Sequence, residues 1–103
     1  MLIVERKGMN IPPHYHKGKA DFIYVIFGVI DYFEFPEGTN IPYQTRLESG
    51  YGIKSPPGMI HGVGIASERC AYLETSDGPF DPSYDAIYPN WAKSWHLNDY
   101  SSH

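Results

Sequence analysis

A chain of 103 residues that is 42% hydrophobic and 16% aromatic is long enough for one packed domain, too short for two, and too apolar to be disordered over most of its length. Its net charge of -4, with the basic residues scattered, removes the electrostatic footprint of a nucleic-acid binder, and no apolar run reaches the roughly 20 residues that cross a bilayer. With no secretory leader pattern and one cysteine, Cys70, that has no intrachain partner, the expectation is a soluble cytoplasmic protein in which this thiol is a small core residue.

Met1 to Arg6 reads as a short first strand, with a turn at Lys7-Gly8. Pro12-Pro13 then forces extended backbone, so His14 and His16, two apart, point their imidazoles to one face, where two nitrogens can bind one metal ion. Tyr15, between them, points the other way and has a packing role. Phe22 to Phe27 is β-branched and aromatic without polar alternation, which predicts a core strand covered on both faces, with Ile23, Val25 and Phe27 sharing the inward direction of Asp21. Val29 to Phe35 resumes the apolar run, and the pair predicts an antiparallel hairpin turning at Phe27-Gly28-Val29.

After the turn cluster Pro36 to Asn40, Tyr43 to Glu48 alternates as a half-buried strand. Gly50 and Pro56-Pro57-Gly58 bracket Ile53-Lys54, and His61 emerges beyond the second turn. Gly62 to Ile65 and Arg69 to Thr75 are two further strands, and this spacing of short strands predicts an all-β barrel or sandwich. Beyond Thr75 the prolines break any long element, leaving a core of about residues 1–75 and a C-terminal arm, 76–103, within one domain. Asn90 to His96 predicts one or two helical turns, capped by Asn90, with Trp91 and Trp95 on one face. Phe80, Tyr84, Tyr88 and Trp91 are too much aromatic surface for a free tail, so the arm is expected to pack on the barrel or on the partner in a homodimer.

Two spacings carry the chemistry. Gly8, five residues, His14, one, His16, four, Asp21, six, Gly28 resembles the first motif of the cupin superfamily, and Gly50, five residues, Pro56, one, Gly58, two, His61 resembles the second. The resemblance runs from Gly8 to Ile65, over half the chain. It implies a single jelly-roll β-barrel holding one metal ion, which on this sequence would be bound by His14, His16 and His61, with Asp21 as a possible fourth ligand. It departs from the pattern twice. Asp21 replaces the usual glutamate and is one methylene shorter, leaving open a three-histidine site completed by water, and Ile65 stands where an asparagine is usual.

Imidazoles with a carboxylate suit iron, manganese, nickel, zinc or copper, and ligand type does not choose among them. The expected partner is a small molecule, with neither nucleic acid nor membrane. One reading is an enzyme that isomerises, epimerises or eliminates on a sugar derivative or a hydroxy or keto acid; others are an iron-dependent dioxygenase and a non-catalytic binding or sensing module. Tyr51, beside the Gly50 turn, is a candidate proton donor at the barrel mouth. His96, Lys17 and Lys19 read as surface residues.

Overall fold

The computed structural model describes residues 1–78 and 86–95. Among them eight strands follow one another: β1 (Leu2–Arg6), β2 (Asn10–His14), β3 (Asp21–Phe27), β4 (Val29–Phe35), β5 (Tyr43–Glu48), β6 (Gly52–Ser55), β7 (Ile60–Ile65) and β8 (Arg69–Ser76). They form two antiparallel four-stranded sheets, ordered β1-β8-β3-β6 and β2-β7-β4-β5. The sheets face each other across one core, to which Ile23, Val25 and Tyr72 contribute from the first and Ile30, Tyr32 and Val63 from the second. Each such apolar side chain taken from water stabilises the fold by about 1.5–3 kcal/mol. The expected all-β jelly roll is therefore what the chain adopts. No helix among the described residues is long and apolar enough to cross a membrane.

The expected β3-β4 hairpin does not form, because β3 pairs with β6 and β8 while β4 pairs with β5 and β7. A single residue cannot supply a two-residue hairpin loop. Gly28 instead turns a corner that hands the chain from one sheet to the other, at φ +92°, where a Cβ would fall 2.5 Å from the Arg69 carbonyl oxygen and 2.8 Å from Cys70 Cα. Nor is β3 covered on both faces: Asp21, Ile23 and Val25 are buried while Phe22 and Tyr24 are exposed. Phe27, expected to point inward, is 48% exposed, because the β3-β8 register shifts between Val25 and Phe27 and reverses its direction. Ile53-Lys54 belongs to a true strand, β6, whose Ser55 lies opposite Asp21.

The outer face of β4 carries Phe33 and Phe35, and the arm covers it. The Trp91 ring lies tilted against Phe35 with centroids 4.9 Å apart, and Trp95 meets Phe35 and Phe33 edge to face at 5.1 and 5.2 Å. Tyr15 and Ile87 exchange two backbone hydrogen bonds, of 3.0 and 2.9 Å, which ties the arm to the segment between the histidines and gives Tyr15 the outward packing role expected of it. The helix of the arm is shorter than expected, one 3₁₀ turn at Ala92–Ser94, with Trp91 rather than Asn90 in the capping position and no side-chain cap. Phe80, Tyr84 and His96 lie outside the described residues.

Candidate metal centre

His14 ends β2 and lies opposite His61 of β7, although the β2-β7 register breaks over Pro12-Pro13, where two N–H donors are missing. His16 follows in the connection to β3, held by the second turn: the Gly58 N–H donates to the His16 carbonyl at 2.7 Å. Gly50 and Gly58, at φ +88° and +81°, occupy the left-handed region that their turns require. Asp21 opens β3 with its side chain inward. One sheet thus delivers Asp21 and the other His14 and His61.

His14, His16, Asp21 and His61 are all buried, and one ligand atom from each lies within 4.8 Å of the others. The ring centroids of His14 and His61 are 4.5 Å apart, and those of His14 and His16 are 5.1 Å apart. His14 Nδ1 lies 2.8 Å from the Pro12 carbonyl and His61 Nδ1 lies 3.0 Å from the Met59 carbonyl. A carbonyl only accepts, so both Nδ1 atoms carry the proton and donate it, which leaves each Nε2 with a bare lone pair. His16 Nε2 is 2.7 Å from Asp21 Oδ2, and His61 Nε2 is 3.5 Å from the same oxygen. The closer contact is misaligned for a hydrogen bond, so both ring nitrogens of buried His16 lack a hydrogen-bond partner. Buried nitrogens left in that state are costly unless something else engages them.

This donor set fits a divalent first-row ion: neutral imidazole nitrogens and one carboxylate oxygen, converging and shielded from water. Asp21 reaches the cluster despite its short side chain. Burial first, with His61 and His16 nearby, lowers the His14 pKa to about 4 against the Pro12 hydrogen bond, so this imidazole is neutral through the physiological range. Burial alone would raise the Asp21 carboxyl, but the contact with His61 and the three surrounding imidazoles outweigh it and lower it. Ile65, in the usual asparagine position, is a buried member of the core.

Three further groups face the same space, and none was singled out in the sequence. The Tyr32 hydroxyl is 2.5 Å from Ser55 Oγ, and its ring lies nearly parallel to His61 at 6.0 Å. Burial, with a contribution from the Glu34 carboxylate, raises this phenol well above its ordinary value against the pull of Ser55. Glu74, opposite Ile23 on β8, has its carboxyl raised by burial and then by the charge of Asp21. The available signal was parity, since Glu74 continues the inward series Cys70, Tyr72 and Tyr32 continues Ile30.

Tyr51 stands apart. Its side chain is 63% exposed, and its carbonyl accepts from the Val25 N–H, four residues along β3 from Asp21, a separation of about 13 Å. Lys17 is exposed and Lys19 half-buried. Tyr88, on the arm, brings its ring to 5.8 Å from His14 and helps to line a groove of about 470 Å³ along the outside of β2.

No protein-family model and no curated protein matches the sequence. Solved structures do match the fold. The capsular polysaccharide assembling protein CapF of Staphylococcus aureus superposes with a TM-score of 0.76 at 14% identity, over 84% of this chain and 26% of that one. NovW of Streptomyces spheroides, a 4-keto-6-deoxy sugar epimerase, gives 0.69 at 21% identity over 82% of this chain and 47% of its own. The CENP-C cupin domain of Drosophila melanogaster gives 0.66 at 13% identity over 74% and 58%. The chain therefore spans between about a quarter and three fifths of the chains it resembles. Likeness at these identities is a likeness of architecture, and it agrees with the strand order and the motif spacings: this chain has the cupin fold.

Proposed function

We propose that this protein is a metal-dependent enzyme that isomerises, epimerises or eliminates on a small oxygenated substrate, either a sugar derivative or a hydroxy or keto acid. The observation that carries the reading is the convergence of two bare Nε2 atoms, the unpartnered His16 ring and the Asp21 carboxylate in one buried space. A bound iron, manganese, nickel, zinc or copper ion would polarise a substrate carbonyl or hold two of its oxygens. Proton movement then falls to the chain. We assign the acceptor role to Glu74, which lies opposite inward-facing Ile23 on β8 and whose carboxyl burial raises above its ordinary value. Tyr32 and Ser55 hold the wall beside His61 in place. The resemblance to NovW, an epimerase of keto sugars, supports the substrate class. The cytoplasm suits a chain whose one cysteine is a buried free thiol.

A second reading, a non-catalytic binding module, is favoured by the likeness to the CENP-C cupin domain, whose structure has been solved bound to CAL1. The decisive experiment is elemental analysis of untagged protein, followed by incubation of the loaded protein in deuterium oxide with 2-keto acids and 4-keto sugars. Deuterium should enter at the carbon beside the carbonyl. Glu74→Gln should keep its metal and lose exchange. Loaded protein that exchanges neither class, or that consumes oxygen with them, overturns the proposal; the latter outcome selects the dioxygenase.

A further inference from the structure

Lys7 to Met9 joins β1 to β2, Ala66 to Glu68 joins β7 to β8, and the two turns are tied side by side. The Lys7 N–H donates to the Glu68 carbonyl at 3.1 Å and the Gly8 N–H to the Ile65 carbonyl at 3.3 Å. Bonded and unbonded pairs alternate along an antiparallel ladder, so next to the bonded Lys7 and Glu68 the register partners Arg6 and Arg69 form the unbonded kind, with Cα atoms about 4.5 Å apart and side chains at their closest. Like charges directly opposite each other weaken a sheet. Arg6, Lys7, Glu68 and Arg69, all exposed, line a cavity of about 320 Å³, so the register gathers three of the chain's eight basic residues in one place although they are scattered in the sequence. Cations elsewhere on the outer faces are matched: Arg46 donates two hydrogen bonds to Asp31, of 2.9 and 3.0 Å, and Lys54 Nζ lies 5.4 Å from the Phe22 ring centroid. Among the described residues Arg6, Lys7 and Arg69 have no ion pair, with Glu68 or with any other acid.

We propose that this cavity binds a small soluble diphosphate, either the inorganic ion or an ester of it. Arg69 opens β8 and Ser76, the partner of Asp21, closes it, a separation of about 23 Å, so the inference is independent of the metal centre. A guanidinium presents parallel N–H donors that match two oxygens of a phosphoryl group, and a diphosphate offers one such group to each arginine, with the Lys7 ammonium as a further point charge. A carboxylate fills only one fork. Three cations against the single acid Glu68 favour a ligand with at least two negative charges, and such a ligand turns the Arg6-Arg69 repulsion of the free protein into attraction on both sides of itself. The cavity lies at the small end of the roughly 300–1,000 Å³ of small-molecule sites, which suits a compact anion better than a polymer.

Calorimetric titration of the full chain with inorganic diphosphate, in magnesium-free buffer at about 150 mM salt, tests this. Wild type should saturate at one site per chain. Arg6→Gln and Arg69→Gln change exposed positions far from the histidines, so each should keep the wild-type metal content while weakening diphosphate by roughly 10-fold or more. Glu68→Gln should tighten it, by removing the one negative charge in the cavity. Without ligand, each arginine variant should melt above the wild type, because the opposed pair is gone; with diphosphate, the wild type should gain the most. A purely structural role for the arginines predicts the reverse order without ligand. Absence of saturation, or displacement by sulfate as readily as by diphosphate, means an adventitious ion only and overturns the proposal. Undiminished binding in both arginine variants overturns it as well. So does capture by phosphatidic acid vesicles without a response to soluble diphosphate, which would make this edge a lipid-facing one.

Discussion

The Tyr32 hydroxyl and Ser55 Oγ, 2.5 Å apart and both buried, join β4 of one sheet to β6 of the other beside His61. Tyr32→Phe removes one partner and strands the other in a place water does not reach, at a cost of about 1–3 kcal/mol. Removing both hydroxyls, with Tyr32→Phe and Ser55→Ala together, should cost less than the two single changes added. Denaturant melts of the four proteins in this cycle check it, and strict additivity would mean that the contact contributes nothing.

Metal occupancy should follow the four clustered side chains unequally. His16→Ala and His61→Ala each delete a ring nitrogen from the centre and should abolish stoichiometric metal in untagged protein. Asp21→Ala should lower affinity by at least the roughly 10 to 100-fold that loss of a supporting group costs, because its carboxylate reaches within 2.7 Å of His16 Nε2. Tyr51→Phe should leave affinity unchanged. Calorimetric titration with zinc or manganese reads all four.

Acid should weaken the metal-free fold from an unusually high pH. His14 binds its proton at about 4 in the folded protein and near 6.5 in the unfolded chain, so between these values the unfolded state holds more protons. The stability this residue contributes is whole above about 6.5 and disappears as the pH falls through 4, a change on the order of 3 kcal/mol. Asp21, with a lowered carboxyl, adds a further loss below the ordinary carboxylate range. The melting temperature measured from pH 7 down to 4 should drop accordingly, and His14→Gln should flatten that drop.

Trp91→Ala should destabilise the fold by about 2 kcal/mol, below the range for fully buried tryptophan because this side chain is only half-buried. Its loss uncovers Phe35, whose ring centroid lies 4.9 Å from its own. Thermal melts and dye binding report the two effects, and a variant as stable as the parent would show that the arm adds no packing energy.

Spacing makes the candidate centre legible in the sequence. His14 and His16 share a face because strands alternate, and Gly50 and Gly58 adopt the left-handed backbone that the turn delivering His61 demands. The reach of Asp21 was not legible, since one methylene is easily made up by where a strand begins, and only pairing with Ser55 and Ser76 fixes that point. Tyr32 and Glu74 were hidden for another reason. Parity assigns them inward but does not say at which end of the barrel they arrive. β3 misled twice because its outward residues are as apolar as its inward ones, so the run of Phe22 to Phe27 resembled a strand buried on both sides. The corner at Gly28 resembled a hairpin because both need a residue with positive φ, and sheet membership is decided by contacts with β8, some 40 residues away.

Pro12-Pro13 has an effect at a distance from the histidines that it aligns. Among the described residues β2 is an edge strand of its sheet, and the only strand it pairs with is β7. An edge of this kind is a template on which a strand from another molecule can be added and the addition repeated. Two consecutive residues without an N–H, at a point where the register is already broken, deny a newcomer the regular row of donors it would need. The same pair that holds the stretch before His14 extended thus works against sideways addition at this edge, and replacing both prolines by residues of high strand propensity should make fibril growth easier.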